Sequence, residues 1–374
     1  MISDYWNALR CGARGRGLGA AMVPAEILWA RFHYGLGPRL YSLYRLWRKP
    51  RVEWGEYIDD HRNKPWMHEL NPSEHRYRLD DKLAFFQHCV ENGLVTVPIL
   101  GVISGPGRPA NAPAPEVAGP EELAALLDRY PDGLFIKPAG GSHGEGAFSV
   151  QRRGSGIGFR GATGTAAELY EYCRSRAAGH EGRLIVQPRL RPARALLAIM
   201  SSHGLGTVRA VTCLQGERVR LLAASLRIPV GASDADNFLH GASGNLVAGI
   251  DSFTGRLLQG LGSTRRDWPE IVPVERHPET GTVIEGFQLP FWAELVDLVS
   301  RGQRAFTGLR TIGWDVAITD MGPVLVEGNG AYDTDLLQIS HDRGFGPVLL
   351  AAMGAASPSP EDRRASRSSA ATPT

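Results

Sequence analysis

The residues best suited to chemistry lie between Leu134 and Val150, where an apolar strand carrying Lys137 runs into a loop holding Gly140, Gly141, Ser142, Gly144 and Gly146 before a second strand begins. Glycines let backbone amides approach an anion closely, and Lys137 adds a compact cation at the edge of the turn, so the pattern suits phosphate. Composition sharpens this: the chain has 37 arginines but only four lysines, Lys49, Lys64, Lys82 and Lys137. With arginine so favoured, a retained lysine marks a place where a slim ammonium fits and a planar guanidinium does not. A glycine-rich hairpin that merely contains a lysine would read the same way. Gly-Lys followed by Ser or Thr occurs nowhere, and no G-x-G-x-x-G sits between a strand and a helix. Ser142 and His143 are adjacent and lack an orienting acid, which argues against a hydrolase triad.

A second constellation sits near the C-terminal end. Trp314-Asp315-Val316 lies on one strand and Leu325-Val326-Glu327-Gly328-Asn329 ends the next, with a turn at Asp320-Met321-Gly322. Residues two apart on a strand share a face, so Glu327 and Asn329 point together and the tight turn can bring Asp315 across from them. Two carboxylates and an amide oxygen are hard ligands that suit Mg²⁺. The other reading is local: Asp315 caps the turn and Asn329 makes the next bend.

The elements that position these groups read as mixed α and β. Pro24 to Trp54 has helical spacing with a basic flank, which fits either a core face with solvated arginines or a helix lying on an anionic surface. Asp80-Asp81 can cap a helix from Lys82 to Cys89 that stops at Asn92-Gly93. A strand is expected from Val95 to Ile103, a Pro/Gly/Ala loop from Gly105 to Pro115, a helix from Pro120 to Arg129, the lysine hairpin, a helix from Ala166 to Ala178 and a strand from Arg183 to Gln187. After Pro192 come longer strands, Gly206 to Leu214, Val219 to Leu226, Gly244 to Ile250 and Leu257 to Gln259. A helix from Pro290 to Phe306 and the acidic hairpin, Thr311 to Thr319 and Pro323 to Glu327, follow. The tail from Ser357 to Thr374 is rich in Ser, Pro, Ala and Arg and reads as disordered.

At 374 residues the chain can hold two or three subdomains. The formal charge of +2 gives no global field to attract nucleic acid. Cys11, Cys89, Cys173 and Cys213 are widely spaced with no C-x-x-C pair, which disfavours zinc and a disulfide framework and fits a reducing compartment. The early apolar run is too short and polar to span a bilayer, and no cleaved signal is evident. The expectation is a cytoplasmic protein without a membrane span.

Taken in order, Lys82, Phe-Ile-Lys137-Pro with its glycine loop, Leu-Ile-Val-Gln187-Pro-Arg-Leu190, Thr207-Val-Arg209, Asp315 and Glu327-x-Asn329 resemble the ATP-grasp superfamily, and within it the sugar-transfer-associated, glutamate-ligase-related branch. The resemblance runs from about Asp80 to Leu350. It implies an α/β ATP-grasp fold in which two subdomains clasp ATP, here 80–190 with the lysine hairpin and 191–354 with the metal site. A helical region, 1–79, precedes them, and 355–374 is the tail. It further implies that Lys82 and Lys137 bracket the nucleotide phosphates under a flap at Gly140 to Gly146. Gln187, Pro188 and Leu190 would hold adenine, with Gln187 standing where many relatives have glutamate. Asp315, Glu327 and Asn329 would bind Mg²⁺, for which Mn²⁺ could substitute, and Arg209 would reach the transferred phosphate. The implied reaction activates a small-molecule carboxylate as an acyl phosphate and joins it to an amine, releasing ADP and phosphate.

Between Arg227 and Asp251, the candidates for substrate contact are Arg227, His240 and Asn245. Arg227 fits either an anion clamp or an exposed strand end, and His240 either a base or a solvated cap. An ATP-grasp kinase acting on a sugar or polyol hydroxyl is the alternative enzyme. A nucleotide-binding protein without turnover is the non-enzymatic one. A homodimer is compatible with all three.

Overall fold

The computed structural model describes residues 2–105, 113–140, 146–178, 182–200, 204–231 and 236–354. Gly141, Ser142, Gly144, most of the Gly105 to Pro115 loop and the 355–374 tail lie outside them.

Two antiparallel sheets organise the chain. The first contains β1 (Gly101–Ser104), β2 (Leu134–Pro138), β3 (Phe148–Arg153), β4 (Gly156–Phe159), β5 (Ala162–Gly164) and β6 (Arg183–Pro188), in the order β1-β6-β2-β3-β4-β5. One face is apolar: Leu134, Ile136, Val150, Leu184 and Val186 pack on the helices Pro120–Arg129 and Ala166–Ala178 through Leu123, Leu127, Leu169 and Cys173. Alternation then turns Phe135, Lys137 and Gln187 to the opposite face.

The second sheet contains β7 (Thr207–Gln215), β8 (Arg218–Ile228), β9 (Leu246–Ile250), β10 (Leu257–Ser263), β11 (Ile271–Pro273), β12 (Thr311–Thr319) and β13 (Gly322–Asn329), in the order β11-β10-β9-β8-β7-β12-β13. Val208, Ala210, Ala224, Leu226, Trp314 and Val316 point to one side and close over the helix Trp292–Ala305. On the other side Val211, Cys213 and Ala223 pack on Phe345, Met67 and Leu70, while Val247 and Leu261 meet Ile27, Tyr41 and Leu46. The N-terminal residues therefore share their cores with this sheet.

Three expectations change, and one expected helix, Lys82–Glu91, proves to join both sheets. The helical run from Pro24 to Trp54 is broken into the helices Val23–Tyr34 and Pro38–Leu43 and two short 3₁₀ turns. Gly35 and Arg45 adopt left-handed backbone, φ 71° and 52°, and Pro50 ends the pattern. The Val95 to Ile103 strand is shortened to β1, because Pro98 cannot donate to a ladder. Val97 N instead donates to Leu325 O at 3.2 Å, so the segment starts on β13 and crosses to β6. The helices Ile2–Ala13, Asp60–Leu70, Asp335–Ser340 and Gly346–Met353 are additional to those expected. Finally, the helix Lys82–Glu91 bridges both bodies, with Phe85 and Cys89 in the second core and Leu83 against Val102 and Ile185 of the first. All four cysteines are buried and free.

Candidate functional site

The sheets enclose a cleft of about 1450 Å³ that is lined from one side by Lys82, Lys137, Gly140 and Gln187–Leu190 and from the other by Thr207, Arg209, Arg227, Asp315, Glu327 and Asn329. Period-two alternation explains the second group: on β7, β8, β12 and β13 these are the residues facing away from the Trp314 core. Register then sets them abreast. Asp315 stands opposite Arg209 on β7 and opposite Glu327 on β13. A bulge leaves Val326 unpaired between Leu325 and Glu327, re-aiming the strand end at the cleft.

Asp315 is the electrostatic centre of this face. Arg209 grips it with two bonds, Nε to Oδ1 at 2.6 Å and Nη2 to Oδ2 at 3.1 Å, and Arg227 Nη2 donates to Oδ1 at 3.1 Å. Burial alone would push the carboxyl up, but the two guanidinium groups outweigh it and hold Asp315 below the usual carboxylate range. Burial likewise opposes the Arg227 charge, and Asp315 and Asp236 more than restore it. Arg227 is therefore a buried member of an ion network rather than an exposed strand end. Asp236 completes that network, 3.7 Å from Arg227 and accepting from Thr207 N and Oγ1. Burial raises its carboxyl despite these partners.

The lysine side has a different balance. Lys82 opens its helix, where Asp81 caps the end by accepting from Leu83 N and Ala84 N at 2.9 Å each, and Lys82 N donates to Ala139 O at 3.1 Å. The cap thus ties Lys82 to the strand end that leads into the glycine loop. Lys137 is buried, and desolvation draws its ammonium down to about 8, with Glu327 and Asp315 opposing the shift and Lys82 adding to it. Ser149 on β3 lines the cleft with a buried hydroxyl that has no hydrogen-bond partner. Phe135 lines it from the adjacent strand. Gln187 spends its amide on Val97 O at 3.2 Å, so its side chain braces the crossing segment.

The remaining candidates separate. His240 lines the cleft with Nε2 2.9 Å from Asp335 Oδ2. A carboxylate only accepts, so Nε2 is the donor to Asp335 and Nδ1 is the ring nitrogen left facing other partners. Leu239 and His240 both hold left-handed backbone, φ 47° and 54°, strain of the kind that collects at functional sites. Tyr44 OH bonds the second oxygen of Asp335 and receives Gln338 Nε2 at 2.9 Å, tying the N-terminal region to the pair. Asn245 does not line the cleft. It is buried, accepting from Val230 N at 3.0 Å and donating to Asn237 O at 3.1 Å, and so pins the loop on which His240 sits. Gly146 begins the approach to β3 and is also outside the lining.

Sequence reasoning assigned no role to Asp236, Asp335, Phe135 or Tyr44. Phe135 stands inside the lysine motif, two residues before Lys137, whereas only the packing of distant segments brings Asp236 and Asp335 to the cleft and Tyr44 to Asp335. For a divalent cation the donor set is consistent. Glu327 forms no hydrogen bond or ion pair among the described residues, and Asn329 donates its amide to Gly313 O at 3.3 Å, leaving its oxygen available. Asp315 shares its oxygens with arginine.

The profile of the sugar-transfer associated ATP-grasp family matches residues 61–353, and the chain belongs to that family. No curated protein matches the sequence. Solved structures that resemble it include three enzymes. An N5-carboxyaminoimidazole ribonucleotide synthetase with ADP has 10% identity, covers 80% of this chain and 59% of that one, and scores TM 0.43. D-alanyl-alanine synthetase A from Vibrio cholerae has 10% identity, coverage of 76% and 67%, and TM-score 0.44. Biotin carboxylase from Campylobacter jejuni has 11% identity, coverage of 78% and 50%, and TM-score 0.43. The chain thus spans half to two thirds of their lengths, and family membership rests on the profile match alone. No helix among the described residues is long and apolar enough to cross a membrane.

Proposed function

We propose that the protein is an ATP-dependent ligase that activates a substrate carboxylate as an acyl phosphate and couples it to an amine, forming ADP and phosphate. The observation that carries this reading is that Lys137 on the first sheet and Lys82 at the start of its helix face the Arg209–Asp315–Arg227 row and Glu327 on the second sheet, with no cysteine among the described residues of the cleft lining to be acylated.

In this reading ATP lies between the sheets, its base against Phe135 and the backbone of Gln187–Leu190 and its phosphates toward Lys82, Lys137 and Ser149. Glu327 and Asn329, with Asp315, would hold Mg²⁺, or Mn²⁺ in its place, which would supply charge neutralisation for the phosphates. Arg209 and Arg227, prearranged by Asp315, stabilise charge on the transferring phosphoryl group without reorganising. A carboxylate oxygen bonds to the γ-phosphorus as the bond to ADP breaks. The amine then attacks the acyl carbon, phosphate leaves, and His240, oriented by Asp335, takes the amine proton.

Hydroxylamine supplied with ATP and pools of amino acids and sugar acids tests this directly. An acyl phosphate is captured as a hydroxamate, with ADP and phosphate released in equal amounts. A stable phosphorylated product without free phosphate assigns the kinase reaction instead, and AMP with pyrophosphate excludes both.

A further inference from the structure

The N-terminal helices carry a surface feature that the cleft does not use. On the helix Ile2–Ala13, Ile2 and Trp6 stand one turn apart and are 79% and 63% exposed. The following 3₁₀ turn, Gly17–Met22, exposes Leu18 to 98% and also exposes Met22. The helix Val23–Tyr34 adds Leu28, Trp29 and Phe32 on one outward stripe. These three elements pack on one another, so the exposed apolar side chains belong to one substructure. Single exposed apolar residues are ordinary, whereas a run of this kind on packed elements marks a contact surface.

Charge identifies what the surface meets. Residues 2–54 hold nine Arg and Lys against three Asp and Glu. Arg14, Arg45 and Lys49 are paired with Glu270 and Asp342, and Arg16 and Arg51 with Glu26, which leaves Arg10, Arg31, Arg39 and Arg48 exposed and outside any ion pair among the described residues. Arg10 follows Trp6 by one helical turn and Arg31 adjoins Phe32, both exposed. In a two-fold dimer built on this face the same arginines would be brought near their own copies, so like-charge repulsion disfavours a second chain as the occupant. An anionic lipid surface answers both features, with tryptophan and aliphatic side chains entering the headgroup boundary and arginines meeting phosphate. None of these helices is long and apolar enough to span a bilayer, so contact would be with its surface.

We propose that the face formed by Trp6, Leu18, Met22 and Trp29 docks the protein peripherally on anionic membranes. This stands independently of the reaction assigned to the cleft.

Flotation of the full chain with phosphatidylcholine vesicles, with and without phosphatidylglycerol, tests it. Binding is expected to anionic vesicles, to weaken with added salt, and to shift tryptophan emission to the blue. Trp6→Glu with Leu18→Glu should abolish flotation. Arg10→Ala should weaken it by about fivefold, the fold-change equivalent to ~1 kcal/mol per basic residue. These positions are exposed, so circular dichroism and the thermal midpoint should stay at wild-type values. Equal binding to neutral vesicles, flotation that survives the double substitution, or a dimer abolished by those substitutions with no vesicle binding would overturn the proposal.

Discussion

Lys137 concentrates the conflict between folding and function at a single residue. A lysine buried in the wall of the cleft is costly to keep charged, yet the phosphate contact proposed for it needs that charge. Its ammonium sits at about 8 in the folded chain against 10.5 when solvated. Between those values the unfolded chain binds the extra proton, so stability rises as pH climbs from 8 toward 10.5 and the penalty is fully present below 8. Chemical denaturation of Lys137→Met alongside wild type should show this pH-dependent difference approaching about 3 kcal/mol. Binding of ADP above pH 8 should take up a proton in wild type and not in the variant, as read by calorimetry in buffers of different ionisation enthalpy. The His240–Asp335 pair makes a separate prediction. Asp335→Asn should slow coupling to the natural amine by roughly a hundredfold through loss of the oriented base. It should spare capture by hydroxylamine, which is already unprotonated at neutral pH. Equal loss in both assays would mark Asp335 as structural only.

At the scale of elements, the helix Lys82–Glu91 joins cap, lysine and both cores. Asp81 satisfies two of its free amides and lies 3.5 Å from Arg183 on β6. Asp81→Ala should lower the unfolding free energy by about 1 kcal/mol, the usual cost of a lost cap. It should also raise the KM for ATP, because Lys82 is the first residue of that helix. Asp81→Asn should restore most of the stability. An unchanged KM would separate Lys82 from the nucleotide. Elements of this kind were readable in advance: the Pro120–Arg129 and Ala166–Ala178 helices begin and end where proline, helix-forming runs and breakers place them. The crossing segment from Val95 to Ser104 was not readable, because its two halves pair with different sheets and nothing local encodes that division.

For the whole molecule, the packing of residues 2–57 on the second sheet predicts shared cooperativity. Ile27, Tyr41 and Leu46 are fully buried against Val247 and Leu261. Ile27→Ala should cost roughly 2–5 kcal/mol, as buried aliphatic truncations do. Calorimetry should show the transition that includes the second sheet moving down as one. An early separate transition for the N-terminal helices would show that they fold apart from it.

The sequence by itself marked the two candidate centres, because their information is local. Glycines beside Lys137, the alternation of Glu327 and Asn329, and a turn short enough to bring Asp315 across are all set within a few residues. It also determined the family, through the order of its motifs. Only the tertiary structure decided that Asp315 is held by both Arg209 and Arg227, that Arg227 is buried, that Asn245 braces a loop, and that Asp335 is shared by His240 and Tyr44. The hydrogen bonds behind those facts join residues 8 to 291 positions apart. A side chain's partners across such separations are chosen by sheet order, register and helix docking, which minimise buried polar cost over the whole chain and leave no trace in local spacing.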